Sequence, residues 1–329
     1  MFNNIPISLG FDDVAIRQNK NICKSRLDAL INSEIIRGVF RPVPLIAANM
    51  SSVVDSNFII KLYRLGAFGI MHRAANDQHL LDEVCKIRRE CAFVAASIGI
   101  KETDYELAKS LINSGVNIIN IDIAHGYSDL VFDMAKKIKK YHPKIKIIIG
   151  NTTNPKIIKE CHKIVDAIKI GIGQGSACET KDTAGCTEKM FSTILNFKKI
   201  SKRYGIPIIS DGGVRKPSDF VKAIAAGANS VMMGSVFCKC PESAGEIVYV
   251  DDKKRKVYSG MASRRVQESW RGGLKSGTCP EGKTIYLDIG ESVSKLIERY
   301  SGALKSGITY AGGNSIPTFQ RKVRFVRFQ

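Results

Sequence analysis

The sequence predicts an α/β fold, a (β/α)8 barrel of eight parallel strands alternating with helices. Three observations carry this expectation. Short β-rich apolar runs recur eight times, at 44–48 (PLIAA), 67–71 (AFGIM), 93–98 (FVAASI), 116–123 (VNIINIDI), 145–149 (IKIII), 167–170 (AIKI), 206–210 (IPIIS) and 230–233 (SVMM). Most of them are near-continuous rather than alternating, as parallel strands covered on both faces require. Polar or glycine residues also follow the strands, namely Asn49, His72, Asp122, Asn151, 171–175, Asp211-Gly212-Gly213 and Gly234-Ser235. In a barrel these ends all meet at the C-terminal face, where active sites assemble. A doubly wound sheet is the alternative, because periodicity does not show closure.

The segments between the runs carry helix signals in order. Thr103-x-x-Glu106 reads as a capping box before Leu107, Leu111 and Ile112, with Gly115 where the helix should stop. Ser128 precedes the periodic set Leu130, Val131, Met134 and Ile138, and Asn154-Pro155 offers a cap and a first-turn proline before Ile157, Ile158 and Cys161. Ser218 is expected to cap the helix of Phe220, Val221, Ile224 and Ala225, closed by Gly227. Two segments exceed the repeat. Residues 171–201 place a long loop and a helix between strands six and seven, and nearly a hundred residues follow strand eight. There YSGMAS (258–263) and the glycine-rich RGGLKSGTCPEG (271–282) predict a mobile flap over the barrel mouth, spanning 258–284 within one catalytic domain.

Composition narrows the function classes. Of 329 residues 44% are hydrophobic and 25% charged, enough for an ordinary globular core. No apolar run approaches the roughly 20 residues that span a bilayer, and the first residues lack a basic and then apolar leader. The nine cysteines contain no C-x-x-C pair, which fits a reduced, cytoplasmic chain better than a disulfide scaffold or a zinc site. The net charge of +19 raises nucleic-acid binding, but the basic residues are spread along the chain and no stripe interleaved with aromatics occurs. The charge is therefore read as solvated surface that also draws in phosphorylated ligands; neither a nucleic-acid nor a membrane partner is expected.

The chemistry concentrates in 167–186 (AIKIGIGQGSACETKDTAGC). Alternate glycines Gly171, Gly173 and Gly175 let backbone groups approach an ion or a phosphate, since no Cβ intervenes. Cys178, just past that turn, stands where a thiol could attack what the turn holds; the bland alternative is a glycine-rich connection with an incidental cysteine. The loops after strands seven and eight are the common phosphate site of such barrels. Gly212, Gly213, Gly234 and Ser235 could supply amides and a hydroxyl, while the acceptor-only Asp211 suits a ribose diol. A nucleoside monophosphate follows, unless those glycines merely make tight turns.

Taken together, GIGQGSAC, ISDGG, MGS, YSGMAS and EGKT, with GFDDVAIR, KSR (24–26) and PLIAANM earlier, resemble the IMP dehydrogenase/GMP reductase family over almost the entire chain. The resemblance implies a (β/α)8 barrel, usually a homotetramer. It makes Cys178 the nucleophile on C2 of a purine nucleotide. Ser176, Gly213, Gly234, Ser235 and Tyr258 would hold the phosphate and Asp211 the ribose, with Gly212, Gly260, Met261, Ala262 and Gly282 lining the nucleotide. A monovalent cation, typically potassium, would sit on carbonyls of Gly173, Gly175 and Cys178. Asp122, Ile123, Ala124, Ile172 and Gly173 would meet the nicotinamide of NADPH. Ser25, Arg26 and Arg73 would meet the rest of the dinucleotide, and Ser306, Gly307, Ile308 and Thr309 would do so from an adjacent subunit.

Within the family the resemblance favours the reductase reaction, in which NADPH-dependent deamination of GMP gives IMP and ammonia through a covalent cysteine–purine intermediate. His72 is followed directly by helix-like sequence, leaving no room for inserted regulatory modules, and the segment 260–283 lacks the Arg-Tyr pair a dehydrogenase uses for hydrolysis. Thr180 and Glu281 stand where the reductase places its hydroxyl and its general acid/base. The alternatives are a dehydrogenase without regulatory modules, oxidising IMP to XMP with NAD, and a degenerate purine-nucleotide binder. Departures from the pattern are Gln174 for proline, Glu179 for threonine, 184–187 without Pro-Gln, and Gly277-Thr278 for Tyr-Arg. A carboxylate beside the nucleophile would disfavour a thiolate, so Glu179 is expected to point away.

Overall fold

All eight apolar runs pair in parallel in the computed structural model, which describes residues 5–274 and 276–328. Lys275 of the predicted flap lies outside the described residues. The strands are β1 (Leu45–Ala47), β2 (Phe68–Gly69), β3 (Ala95–Ile98), β4 (Ile118–Asp122), β5 (Lys146–Thr152), β6 (Ala167–Ile170), β7 (Ile208–Asp211) and β8 (Ser230–Met233). Neighbours in sequence are neighbours in the sheet, and β8 pairs with β1. The remaining seam, β2 to β3, is joined by a parallel bridge between Met71 and Ala96. Met71 donates to Ala95 O at 2.8 Å and accepts from Ser97 N at 2.9 Å. The barrel is closed, which decides against the doubly wound alternative.

Around it, α1 (Ser56–Arg64), α2 (Asp77–Glu90), α3 (Glu102–Asn113), α4 (Asp129–Tyr141), α5 (Ile157–Cys161), α6 (Met190–Tyr204) and α7 (Pro217–Ala226) follow their strands. Three caps fall elsewhere than expected, the α5 cap being Lys156 rather than Asn154, whose Oδ1 instead accepts from Lys156 N at 3.0 Å. The α3 cap is Lys101 rather than Thr103, because Asp104 reaches back to accept from Lys101 N at 2.8 Å and Gly99 N at 3.1 Å. The α7 cap is Lys216 rather than Ser218, since Pro217 takes the first helical position and Asp219 accepts from Arg215 N and Lys216 N. In α3 and α7, a carboxylate three residues into the helix outcompetes a hydroxyl for the orphan amides. Ser128 does precede α4, and Gly115 (φ +99°) and Gly227 (φ +132°) close their helices. The run at 206–210 loses its first residues from the ladder, which begins at Ile208, because Pro207 has no N–H to give.

Alternation along the strands builds the interior in layers. At the N-terminal end the barrel holds Ile46, Phe68, Ala95, Ile118, Ile148 and Ile209, closed from below by Ile35, Ile36 and Val39 of the hairpin Ser33–Ile36 and Val39–Arg41. Each such isoleucine, valine or phenylalanine withdrawn from water stabilises the fold by about 1.5–3 kcal/mol. One pleat higher the inward positions turn polar, with Ser97, Asn120, Lys169 and Asp211. Dry support below and polar groups above are what a strand-end site needs.

Beyond β8 the chain forms an antiparallel sheet of β9 (Ile247–Val250), β10 (Lys253–Ser259) and β11 (Thr284–Asp288). The flap is carried between β10 and β11 and is not all loop, since it contains α8 (Arg264–Arg271). Ser263 caps α8 by accepting from Val266 N, and Gly272 (φ +72°) ends it. The chain then forms α9 (Val293–Tyr310), which packs on α7, and the strand Arg324–Arg327 pairs with Val14–Arg17 to bring both chain ends together. No helix among the described residues is long and apolar enough to cross a membrane.

Candidate active site

A cleft of about 440 Å³ opens at the C-terminal ends of the strands. Its floor is the inward polar layer. Lys169, only 3% exposed, extends from the middle of β6 and bonds Asp122 Oδ1 at 2.8 Å and Asp211 Oδ2 at 2.9 Å. Its ammonium also donates to Asn151 Oδ1, and Asn151 Nδ2 donates to Asp211 Oδ2 at 2.9 Å and Gly171 O at 2.8 Å. Burial alone would pull the lysine pKa down. The two carboxylates outweigh it, so the ammonium is held charged above its usual range. Burial likewise opposes ionisation of Asp122, and Lys169 with Arg73 reverses the effect, leaving its pKa lowered. Strands β4, β6 and β7 thus present two fixed carboxylates around one cation.

The cysteine loop and the flap meet above this floor. Cys178 forms an antiparallel bridge with Gly282, Glu179 N donates to Glu281 O at 2.8 Å, and Lys283 N donates to Ala177 O at 3.0 Å. This pairing brings together residues a hundred positions apart. Cys178 Sγ lies 3.2 Å from Thr180 Oγ1, which donates to Glu281 Oε2 at 2.8 Å. Thr180 is buried while Cys178 and Glu281 keep partial access to the cleft. A thiol, a hydroxyl and a carboxylate in one hydrogen-bonded row can pass a proton between a reacting group and the carboxylate. Glu179 does point away, toward Lys283 at 3.8 Å. Cys186, the nearest rival thiol in sequence, is exposed and does not line the cleft.

Ser176, Gly212, Gly213, Gly234, Ser235 and Tyr258 also belong to the cleft wall. Tyr258 is 4% exposed, and burial first, then the charge of Asp211, raises its phenol pKa, so it stays a neutral hydroxyl. Gly234 is required by space, because a Cβ there would sit 2.2 Å from the Tyr258 hydroxyl. The Gly213 amide donates to Gln174 O at 3.1 Å, tying the loop after β7 to the cysteine loop. That donor is spent within the protein, so hydroxyls carry more of this wall's capacity for an anion than the glycines alone suggest. Gly260, Met261, Ala262 and Gly282 complete the flap side.

The family model described as "IMP dehydrogenase / GMP reductase domain" matches residues 8–329. The chain belongs to the IMP dehydrogenase/GMP reductase family. Among similar curated proteins, the GMP reductase of Clostridium acetobutylicum is 35% identical over 315 residues, covering 93% of this chain and 91% of that protein. The GMP reductase of Ligilactobacillus salivarius is 33% identical over 324 residues, covering 96% and 95%. That of Streptococcus equi subsp. zooepidemicus is 33% identical over 326 residues, covering 98% and 95%.

For this family member the expected cofactor residues divide into two places. Arg73, Asp122, Ile123, Ala124, Ile172 and Gly173 line the cleft with the nucleotide residues. Arg26, Ser306 and Thr309 line a separate groove of about 450 Å³ with Gln18, Asn19, Lys20, Asn21 and Tyr310. Arg26 Nη1 and Ser306 Oγ are 3.5 Å apart there, and Ser25 caps the short turn Arg26–Asp28. Gly307 and Ile308 face inward, Ile308 fully buried and Gly307 packed on Val221. A dinucleotide suits the cleft portion, where the buried Nε of Arg73 has no hydrogen-bond partner among the described residues. Gly173, Gly175 and Cys178 line the cleft together, and the Gly175 carbonyl accepts from Cys178 N at 3.0 Å.

Sequence reasoning missed Lys169, Trp270, Arg271 and Gln267, all of which line the cleft. Lys169 had a readable signal. It is a charge inside an otherwise apolar strand, two residues after the inward-facing Ala167, and period two turns it inward as well. The flap residues had none, because only the β10–β11 pairing brings α8 over the barrel.

Proposed function

We propose that the protein is a GMP reductase, using NADPH to convert GMP to IMP with release of ammonia. The observation that carries this reading is the row Cys178 Sγ–Thr180 Oγ1–Glu281 Oε2, at 3.2 and 2.8 Å, inside a cleft of mononucleotide size. The identity to proteins named GMP reductase over more than nine tenths of the chain supports it.

Cys178 Sγ bonds to C2 of the purine as the C2–N bond breaks, and the proton the thiol gives up passes along Thr180 and Glu281 to the exocyclic amine, which leaves as ammonia. A reduced nicotinamide bound in the cleft would supply the hydride to C2. The C2–S bond then breaks, IMP leaves, and the thiolate takes up one proton from solvent to restore the thiol. Asp211, held by Lys169 and Asn151, orients the ribose diol. Ser176, Ser235 and Tyr258 hold the phosphate through hydroxyls. Asp122, Ile123 and Ala124 hold the nicotinamide against the purine. The Glu281 carboxylate is the proton store, and its partner Thr180 is the hydroxyl nearest the sulfur, so both protonation states of the departing amine are served by one short path. The carbonyls of Gly173, Gly175 and Cys178 would hold a potassium ion, which would steady the loop that aims the thiol.

Because the groove of Arg26, Ser306 and Thr309 is distinct from the cleft, these residues reach the cofactor only across a subunit contact, as in a homotetramer. The deciding assay runs NADPH oxidation with GMP beside NAD reduction with IMP, measuring ammonia. GMP-dependent oxidation with one ammonia per NADPH supports the reductase. NAD reduction with IMP and no ammonia from GMP would replace it with the dehydrogenase.

A further inference from the structure

The flap helix α8 carries the chain's one tryptophan, and two arginines from different elements converge on it. The guanidinium of Arg271, at the end of α8, lies 4.1 Å from the Trp270 ring centroid. That of Arg73, just beyond β2 on the barrel, lies 5.2 Å from the same centroid. All three line the cleft together with the nicotinamide segment Asp122, Ile123 and Ala124.

Neither guanidinium has an ion pair within 4 Å among the described residues. Asp104 is the nearby carboxylate, but its oxygens accept from the backbone of Gly99 and Lys101. Asp122 is matched in contact by Lys169. Desolvation first and the charge of Arg73 second hold the Arg271 pKa below its usual value, with Asp104 opposing. Two cations gathered on one indole, with the Arg73 Nε buried and without a hydrogen-bond partner among the described residues, are in mutual repulsion that a bound anion relieves. Arginine forks match phosphate oxygens in pairs, and the indole fixes their planes by cation–π contact.

We propose that Arg73, Trp270 and Arg271 form the clamp for the diphosphate bridge of the nicotinamide dinucleotide. This rests on the reading that the cleft takes such a cofactor. The diphosphate is favoured over the 2′-phosphate because the clamp shares a wall with the nicotinamide segment, and the diphosphate is the nearer of the two anions along the cofactor. The clamp therefore grips NADPH and NADH alike and does not select between them. It assembles only when the flap lies over the barrel, so cofactor binding and flap position are coupled.

Trp270 reports on this directly, since no other tryptophan contributes emission. The experiment titrates the full protein with NADPH, NADH and GMP separately, reading tryptophan fluorescence, for the parent and for Arg271→Ala, Arg271→Lys and Trp270→Phe. Both dinucleotides should quench the emission. Arg271→Ala should raise both dissociation constants by about tenfold, the scale of one lost charge-assisted contact. Arg271→Lys should recover part of the loss, and GMP affinity measured by calorimetry should stay within about twofold in every variant. Trp270→Phe removes the signal and, by calorimetry, weakens both dinucleotides. Unchanged emission on saturation, unchanged affinities in Arg271→Ala, or a loss confined to NADPH would each overturn the assignment. Quenching that persists in a protein without GMP-dependent turnover separates failure of the proposed reaction from failure of the clamp.

Discussion

Glu281 and His72 show how position sets the chemistry of a single side chain. Glu281 sits at the far end of the proton row, so removing its charge should spare the nucleotide wall and damage the chemical step. Glu281→Gln is expected to lower the GMP-dependent turnover number by about a hundredfold or more, while the GMP dissociation constant changes less than about threefold. Steady-state kinetics beside calorimetry checks this, and an unaltered turnover number removes Glu281 from the mechanism. His72 is buried at the end of the β2 segment, where its Nδ1 accepts from Ala74 N at 3.1 Å. Burial first, then His79, lowers its pKa to about 4, against a partial opposing pull from Glu83. The unfolded chain therefore binds a proton that the folded one refuses as pH falls below about 6.5. Stability from this residue is intact above that pH, falls by about 2 kcal/mol at pH 5, and levels off near 3 kcal/mol below pH 4. Urea unfolding of the parent and of His72→Gln at pH 7 and pH 5 should show that pH-dependent loss in the parent alone.

Between elements, the docking of α9 on α7 turns on one atom. A Cβ at Gly307 would lie 2.3 Å from Val221 Cγ1, so glycine there is demanded by close helix packing, not by backbone conformation. Gly307→Ala gains about 1 kcal/mol in helix propensity and loses about 1–3 kcal/mol to overpacking. The net should be destabilising by about 1 kcal/mol. Adding Val221→Ala removes the opposing methyl, so the double variant should be more stable than the sum of the single effects predicts. Thermal unfolding of the four proteins tests it, and simple additivity would show that the contact is not the cause. The flap follows the same logic at larger scale. The β10–β11 pairing fixes both ends, Ser263 and Gly272 bound α8, and the bridge of Cys178 to Gly282 holds the Glu281 carboxylate one hydroxyl away from the thiol.

Across the whole molecule the net charge of +19 surrounds a cleft that itself presents Arg73, Arg215 and Arg271. Such a field raises the encounter rate of phosphorylated ligands and is screened over about 10 Å at 0.1 M salt. Raising sodium chloride from about 0.05 to 0.5 M at constant potassium should increase the apparent KM for NADPH at least threefold. The turnover number should change far less. A KM independent of salt would show that the charge serves solubility alone. The same charge does not make a nucleic-acid surface of any one face, because many of the lysines are already paired locally, as in Lys137 with Glu102 and Lys216 with Asp12.

The sequence by itself determined the eight strands, their parallel order and the cysteine loop, and its family resemblance singled out Cys178, Thr180 and Glu281. Those features are written in local periodicity, in glycine spacing and in short motifs, all carried by contiguous residues. It misplaced the caps of α3 and α7 because Asp104 and Asp219, three positions into their helices, win the competition for free amides. Only the tertiary structure decided that the barrel closes through Met71 and Ala96, since closure is a pairing of distant strands. It alone joined Lys169 to Asp122 and Asp211, and set Trp270 and Arg271 against Arg73. The physical reason is common to these cases. Charges and rings act over a few ångströms in space, and residues far apart in the chain meet at that distance only after the backbone has folded.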